Sequence, residues 1–142
     1  ALIAAGVLTG WLLDSASARQ LGLDPTGHAS RGTGGAPGAG PSNLHMEPGN
    51  ATPGELMADV KRGLYITELI GMGVNGVTGD YSRGASGFLI ENGAVVQAVA
   101  EITIAGNLID MFRTLVPAND LHFRYATNVP TIRVDGMMVA GG

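Results

Sequence analysis

The chain has 142 residues, the length of one ordinary domain. Eight Lys and Arg against twelve Asp and Glu leave a net charge of -4, so nucleic acid and anionic membranes have no general electrostatic hold on it. The absence of cysteine excludes a disulfide framework, Cys-ligated zinc, an iron–sulfur cluster and a cysteine nucleophile within these residues. Hydrophobic residues make up 45%, enough to form a core, while only 14% are charged. Glycine is in excess at 23 residues, which points to many turns, bulges and close backbone contacts.

The chain opens at Ala1 in an apolar run to Leu13 that is too short to span a bilayer and lacks the basic start of a signal peptide. It reads as chain entered mid-domain, a fragment of a longer protein. Gly6 to Leu13 reads as a strand. Asp14 or Ser15 can cap a short helix through Leu21, with Gly22 as its stop. Asp24-Pro25-Thr26-Gly27 reads as a turn. Residues 29–43 form a Gly/Pro-rich loop, with seven Gly or Pro between Gly32 and Pro41 and no periodicity. A short strand is expected within Asn43 to Met46.

Thr52-Pro53-Gly54-Glu55 is a helix start: Thr52 caps, Pro53 suits the first helical position, and Glu55 sits three residues after the cap. Leu56, Met57 and Val60 would line one face, with Gly63 ending the helix. Leu64 to Ile70 reads as a strand. Phe88 to Glu91, Asn92-Gly93, and Ala94 to Gln97 read as a hairpin, because Asn-Gly accepts the positive φ angles of a type I′ turn. Leu108, Met111, Phe112 and Leu115 are spaced as a helix face, opposite Asn107, Asp110, Arg113 and Thr114, and Pro117 stops that helix. This face suits core packing, with a subunit interface as the other use. Thr131 to Val139 reads as a final strand, broken or bulged at Gly136. The order of elements predicts an α+β fold, β-rich, with a mainly antiparallel sheet, hairpins and two to three short helices.

Gly71-Met72-Gly73-Val74-Asn75-Gly76 matches G-x-G-x-x-G, with Glu91 twenty residues on, yet the following Val77 to Gly84 has no helical pattern. A dinucleotide site needs a helix there, so the match reads as chance in glycine-rich sequence. His28, His45 and His122 have no second histidine at helical metal-site spacing, and read as loop or surface residues. Asp80-Tyr81-Ser82-Arg83 is the densest polar cluster in apolar, glycine-rich chain. Asp80, Tyr81 and Arg83 are candidates for contacting a substrate or partner. The plainer alternative is a local Asp80–Arg83 ion pair that fixes a turn. Ser82 and Ser86 lack the G-x-S-x-G elbow of a hydrolase nucleophile. Glu68, Glu91 and Glu101 show no spacing that suggests an acid/base pair. Asn50-Ala51-Thr52 fits the glycosylation pattern, but Thr52 is already explained as a helix cap. No catalytic residue and no metal ligand is identified.

The run Thr67-Glu68-Leu69-Ile70-Gly71-Met72-Gly73-Val74-Asn75-Gly76-Val77-Thr78-Gly79-Asp80-Tyr81-Ser82-Arg83-Gly84-Ala85-Ser86-Gly87-Phe88 resembles the PmbA/TldE branch of the TldD/PmbA family. So do Glu101 to Leu108, Ser17 to Gly22, Thr26 to Ala29, and the stretch from Asn43-Leu44 through Glu47-Pro48-Gly49. The resemblance runs from about Gly6 to Gly142 and implies a single C-terminal domain over residues 1–142. It further implies a cytoplasmic bacterial or archaeal complex. In it, TldD-type zinc metallopeptidases acting on peptides or unfolded polypeptides pair with PmbA/TldE-type subunits that lack the metal ligands. The family has also been described as modulating DNA gyrase. TldD-type zinc binding uses a His-Glu-x-x-x-His helix and a Cys near the C-terminus. Neither occurs here, and Asn119 to Thr131, the stretch that corresponds to the cysteine, contains none.

The expectation is therefore an accessory, non-catalytic subunit domain of a TldD/TldE-type zinc metallopeptidase complex that processes peptides or unfolded polypeptides. Zinc would reside in the catalytic partner or upstream. The partner would be a TldD-like subunit or a second copy in a dimer, and the ligand a peptide, with no direct nucleic acid and no membrane. Three rivals stand beside it: an active metallopeptidase whose metal site lies upstream of residue 1, a nucleotide-binding module using Gly71 to Gly76, and a structural oligomerisation module.

Overall fold

The computed structural model describes residues 1–5 and 7–141. Gly6, where the first expected strand begins, and Gly142 lie outside the described residues. In chain order the elements are β1 (Ile3–Ala4), β2 (Val7–Leu8), α1 (Ser15–Leu21), β3 (Ala29–Ser30), β4 (Gly38–Ala39), β5 (Leu44–His45), α2 (Pro53–Met57) and β6 (Arg62–Ile70). They continue with β7 (Asp80–Glu91), β8 (Ala94–Asn107), α3 (Leu108–Thr114), β9 (Val116–Pro117), β10 (Thr127–Asn128), β11 (Ile132–Arg133) and β12 (Met138–Ala140). The fold is α+β, strand-rich and mainly antiparallel, with three short helices, as the sequence predicts. The chain divides into two compact units, one of Ala1–His45 with Phe123–Asn128, the other of Met46–His122 with the chain from Val129 onward.

In the first unit β1 and β2 form a two-residue antiparallel ladder. The strand expected through Leu13 stops at Leu8. Beyond it, Leu13 N–H donates to the Thr26 hydroxyl at 2.8 Å, and Thr26 N–H returns a bond to the Leu13 carbonyl at 3.4 Å. A loop residue therefore takes the backbone groups that a ladder would have used, and Leu13 is buried. Helix α1 starts as expected: Asp14 Oδ1 accepts from Ser17 N–H at 2.7 Å and from the Ser17 hydroxyl at 2.6 Å, while the Ser17 hydroxyl also accepts from Asp14 N–H. These bonds hold the Asp14 carboxyl below its ordinary pKa. Gly22, at φ +67, ends the helix in the left-handed conformation. The Gly/Pro-rich stretch 29–43 contains the short β3–β4 ladder. β5 pairs in parallel with β10, close to the strand expected at Asn43 to Met46.

The second unit is built on a four-stranded antiparallel sheet in the order β12-β8-β7-β6. Its centre is the long β7–β8 hairpin, whose turn residues Asn92 (φ +49) and Gly93 (φ +79) both take the left-handed conformation a type I′ turn demands. One face buries Ala85, Ile102 and Ile104, with Leu64, Ile66, Tyr81, Val99 and Met137 packed against them. Helix α2 has both halves of its expected capping box: Glu55 N–H donates to the Thr52 hydroxyl, and Thr52 N–H donates to Glu55 Oε2 at 2.7 Å. It ends at Met57, earlier than the apolar spacing suggests. The hairpin turn claims the following backbone instead, with Gly93 N–H donating to the Val60 carbonyl and Asn92 N–H to that of Lys61. Helix α3 is capped by Asn107. Phe112 on it is 66% exposed, so the expected apolar face is only partly packed. The expected last strand is broken near Gly136 (φ +78): β11 pairs with β9 before it, and β12 pairs with β8 after it.

Candidate peptide-contacting site

Gly71 to Gly79 joins β6 to β7 as a pinned turn, with no helix after Gly73. Asn75 Oδ1 accepts from Val77 N–H at 2.9 Å and Thr78 N–H at 3.2 Å, and Ser82 N–H donates to the Gly73 carbonyl at 2.7 Å. That approach is open only to glycine at 73, since a Cβ there would lie 1.5 Å from the Ser82 carbonyl oxygen. The helix a dinucleotide fingerprint requires is absent, which removes the phosphate-binding reading of Gly71 to Gly76. Asn107 Nδ2 donates to the Thr78 carbonyl at 3.0 Å while Asn107 Oδ1 caps α3, so one side chain ties the turn to that helix. Met72 and Val77 project from the turn, 97% and 95% exposed.

Asp80, Tyr81 and Arg83 enter β7 directly after this turn, in register with Asn107, Gly106 and Ile104 of β8. No bulge separates them, so alternation puts Tyr81 and Arg83 on the core face and Asp80 on the opposite one. Asp80 is exposed, and its Oδ2 accepts from the Thr78 hydroxyl at 2.6 Å. Tyr81 packs against the core cluster. Arg83 Nη2 donates to the Leu69 carbonyl at 3.4 Å, and its Nε is buried without a hydrogen-bond partner. The Asp80–Arg83 ion pair considered from sequence is not formed, because residues three apart on a strand point to opposite faces. The structure thus brings Tyr81 and Arg83 together and separates Asp80 from them.

Strand β6 lies at the edge of the sheet. Among the described residues no backbone group of Gly63 to Ile70 bonds to any strand other than β7. Beside β6, on the core face, opens a cleft of about 270 Å³, lined by Leu56, Met57, Leu64, Ile66, Ile104 and Met137 among others. At its polar end Arg133 donates from Nε to Asp135 at 2.9 Å and from Nη1 to Asp59 and to the Leu56 carbonyl. Its two carboxylates push the Arg133 pKa above the ordinary arginine value, Asp135 first, and Arg133 in turn holds Asp59 below the usual carboxylate range. Sequence reasoning did not single out β6 as an edge strand and did not find the cleft. The one local signal was the apolar spacing at Leu64, Ile66 and Leu69, which changes from two residues to three where the strand bulges between Ile66 and Glu68.

The remaining candidates stay apart. Ser86 donates to Glu68 Oε2 at 3.3 Å, Glu91 stands opposite Arg62, and Glu101 sits in β8 at φ +55. His28 Nδ1 lies 2.8 Å from the Thr26 hydroxyl, His45 meets the Phe123 ring edge-on at 5.2 Å, and His122 faces Asp120 electrostatically. Among the described residues no three His, Cys, Asp or Glu gather as a metal site, so these residues alone do not fit a zinc centre. Within Asn119 to Thr131, the buried Asn128 accepts from Arg124 and Tyr125 N–H and donates to the Tyr125 carbonyl, while Asp120 accepts from the Thr131 N–H and hydroxyl. Among the described residues no helix is long and apolar enough to cross a membrane.

Residues 1–141 match the sequence profile of the PmbA/TldA metallopeptidase C-terminal domain. The chain is 43% identical over 141 residues to the metalloprotease PmbA of Escherichia coli O157:H7, covering 99% of this chain and 29% of that protein. It is 42% identical over 139 residues to the metalloprotease PmbA homolog of Haemophilus influenzae, covering 96% of this chain and 29% of the relative. A crystal structure from Thermotoga maritima, described as a candidate modulator of a DNA gyrase, superposes with a TM-score of 0.81 at 36% identity, over 98% of this chain and 32% of that one. TldE from Thermococcus kodakarensis shares the fold with a TM-score of 0.85 at 24% identity, over 99% of this chain and 33% of that one. The chain thus spans somewhat under a third of the length of the curated relatives named here. It belongs to the PmbA/TldA metallopeptidase family and corresponds to the C-terminal domain of its members.

Proposed function

We propose that this chain is a domain of an accessory, non-catalytic subunit in a TldD/TldE-type zinc metallopeptidase complex, and that it handles peptides and unfolded polypeptides in extended form. The observation that carries the reading is the outer edge of the nine-residue β6, which pairs with no strand among the described residues and opens beside the apolar cleft. An edge strand offers an extended peptide a row of backbone donors and acceptors, and so binds with little regard to sequence. The names of the relatives, metalloprotease PmbA and TldE, support the peptidase context. In this reading the zinc and the bond-breaking groups belong to a TldD-like partner or to chain outside these residues, and the complex works in the cytoplasm as a dimer. Of the three sequence candidates, Asp80 faces away from the core and is the group best placed to meet a ligand or partner.

Zinc content per chain tests this, measured on the full-length protein alone and mixed with its TldD-like partner, alongside cleavage of an unfolded peptide. The expected result is no zinc and no cleavage for the protein alone, with cleavage restored by the partner. One zinc per chain with cleavage by the protein alone would replace the reading with that of an active metallopeptidase.

A further inference from the structure

We propose that the β6 edge takes a short free peptide of about six residues, running antiparallel to β6, with apolar side chains two residues apart facing the cleft and its charged ends matched to the two ends of the strand. The proposal rests on the peptide-handling reading above and adds length, direction and side-chain class. Direction follows from charge. Lys61 and Arg62 stand at the start of β6, and neither forms an ion pair among the described residues, although Glu91 is the register partner of Arg62. Near the other end Glu68 is exposed and receives only the Ser86 hydroxyl. An antiparallel peptide places its terminal carboxylate at Lys61 and Arg62 and its terminal ammonium at Glu68. A parallel peptide would set like charges together at both ends.

Length follows from strand rise. Arg62 and Glu68 stand opposite Glu91 and Ser86, five steps apart on β7 because the bulge absorbs one residue; that is roughly 16 Å at about 3.3 Å per step, the end-to-end Cα span of six extended residues. Side-chain class follows from alternation. Leu64 and Ile66 sit on the core face and line the cleft, so the peptide residues opposite them share that face and lie two apart. Among the described residues the cleft lining carries, beyond Arg62, only Arg133 and Asp135 as charges; Arg133 is paired with Asp135 and with Asp59 outside the lining, leaving the apolar wall to select the side chains.

The test is calorimetric titration of the full-length protein with free Gly-Ala-Leu-Ala-Leu-Ala, its N-acetylated and C-amidated forms, and the analogue with both leucines replaced by serine. Amidation is expected to weaken binding about threefold, the scale of one exposed ion pair, in the natural protein but not in the double variant Lys61→Gln/Arg62→Gln. Acetylation is expected to do the same except in Glu68→Gln. The serine peptide should bind about tenfold more weakly. Equal affinity for free and blocked peptides, or no binding at all, overturns the proposal. So does protection of the outer β6 amides from hydrogen exchange without peptide, which would mean that another segment or a second copy already holds the edge; sedimentation against concentration separates those two. The zinc and cleavage measurements decide the accessory-subunit reading independently of all these outcomes.

Discussion

Replacing Gly87 by alanine should open the β6 edge from within. Gly87 stands opposite Ile66, where β6 and β7 approach closely beside paired bulges. A Cβ at Gly87 would lie 2.1 Å from the Tyr65 carbonyl oxygen and 2.9 Å from Ile66 Cα, whereas ordinary contact begins at 3.4 Å. The backbone of β6 must therefore retreat by about 1 Å. Overpacking of this kind costs about 1–3 kcal/mol, and each ladder hydrogen bond stretched out of range adds about 1. The expected loss is about 2–3 kcal/mol, read as amide exchange in β6 faster by roughly thirty- to a hundred-and-fortyfold. Gly84→Ala, three residues away on the same strand, is the control. Its Cβ would meet Ile70 Cβ at 3.5 Å, an ordinary contact, so stability should hold or rise by about 0.5 kcal/mol as chain entropy is lost from the unfolded state. Equal exchange rates in β6 for the Gly87 and Gly84 variants would refute the close approach.

Asn92→Val should cost about 1–2 kcal/mol, because a β-branched residue resists the +49° φ of the hairpin turn, while Asn92→Gly should leave stability nearly unchanged; exchange at the β7–β8 amides reads both. Thr52→Ala removes the cap of α2 and should cost about 1 kcal/mol, seen as faster exchange of Glu55 N–H. Asp120 is held below its ordinary pKa, first by the Thr131 hydroxyl, so its stabilising contribution is complete above the unfolded value and is lost as pH falls through the lowered folded one. Asp120→Asn should therefore remove part of the acid-induced loss of stability and leave a shallower slope below about pH 4, measured by denaturant midpoints across pH. Arg83→Met keeps the bulk of a side chain whose Nε is buried without a partner, so stability should change by less than about 1 kcal/mol; a larger loss would show that the guanidinium charge itself is needed.

What was legible in the sequence is what short-range chemistry determines. The Asn92-Gly93 turn, the Thr52–Glu55 capping box and the Asp14 and Gly22 limits of α1 each involve residues within a few positions of one another. The errors lie where distant residues compete for the same backbone. The strand expected through Leu13 was lost to Thr26, thirteen residues on, and the end of α2 was lost to the turn at Gly93. Asp80 and Arg83 are neighbours in sequence, but only strand register shows that they point apart. The edge position of β6 depends on which strands lie beyond it, and no local pattern carries that.

The bulge in β6 decides what the edge can do. Leu64 and Ile66 share the core face, and an unbroken strand would carry Glu68 onto it as well, placing a carboxylate against the apolar cleft. Leaving such a charge unpaired there would be costly. The extra residue, Thr67, shifts the register by one: Glu68 pairs with Ser86, and Leu69, opposite the buried Ala85, returns to the core side. The Thr67 hydroxyl donates to the Ser86 carbonyl at 3.5 Å, and the Ser86 hydroxyl reaches Glu68, so the bulge is tied across the strands by the side chains that it turns outward. One inserted residue thus keeps the cleft apolar and puts a carboxylate at the far end of an edge whose near end carries Lys61 and Arg62. The polarity proposed for the bound peptide depends on that insertion.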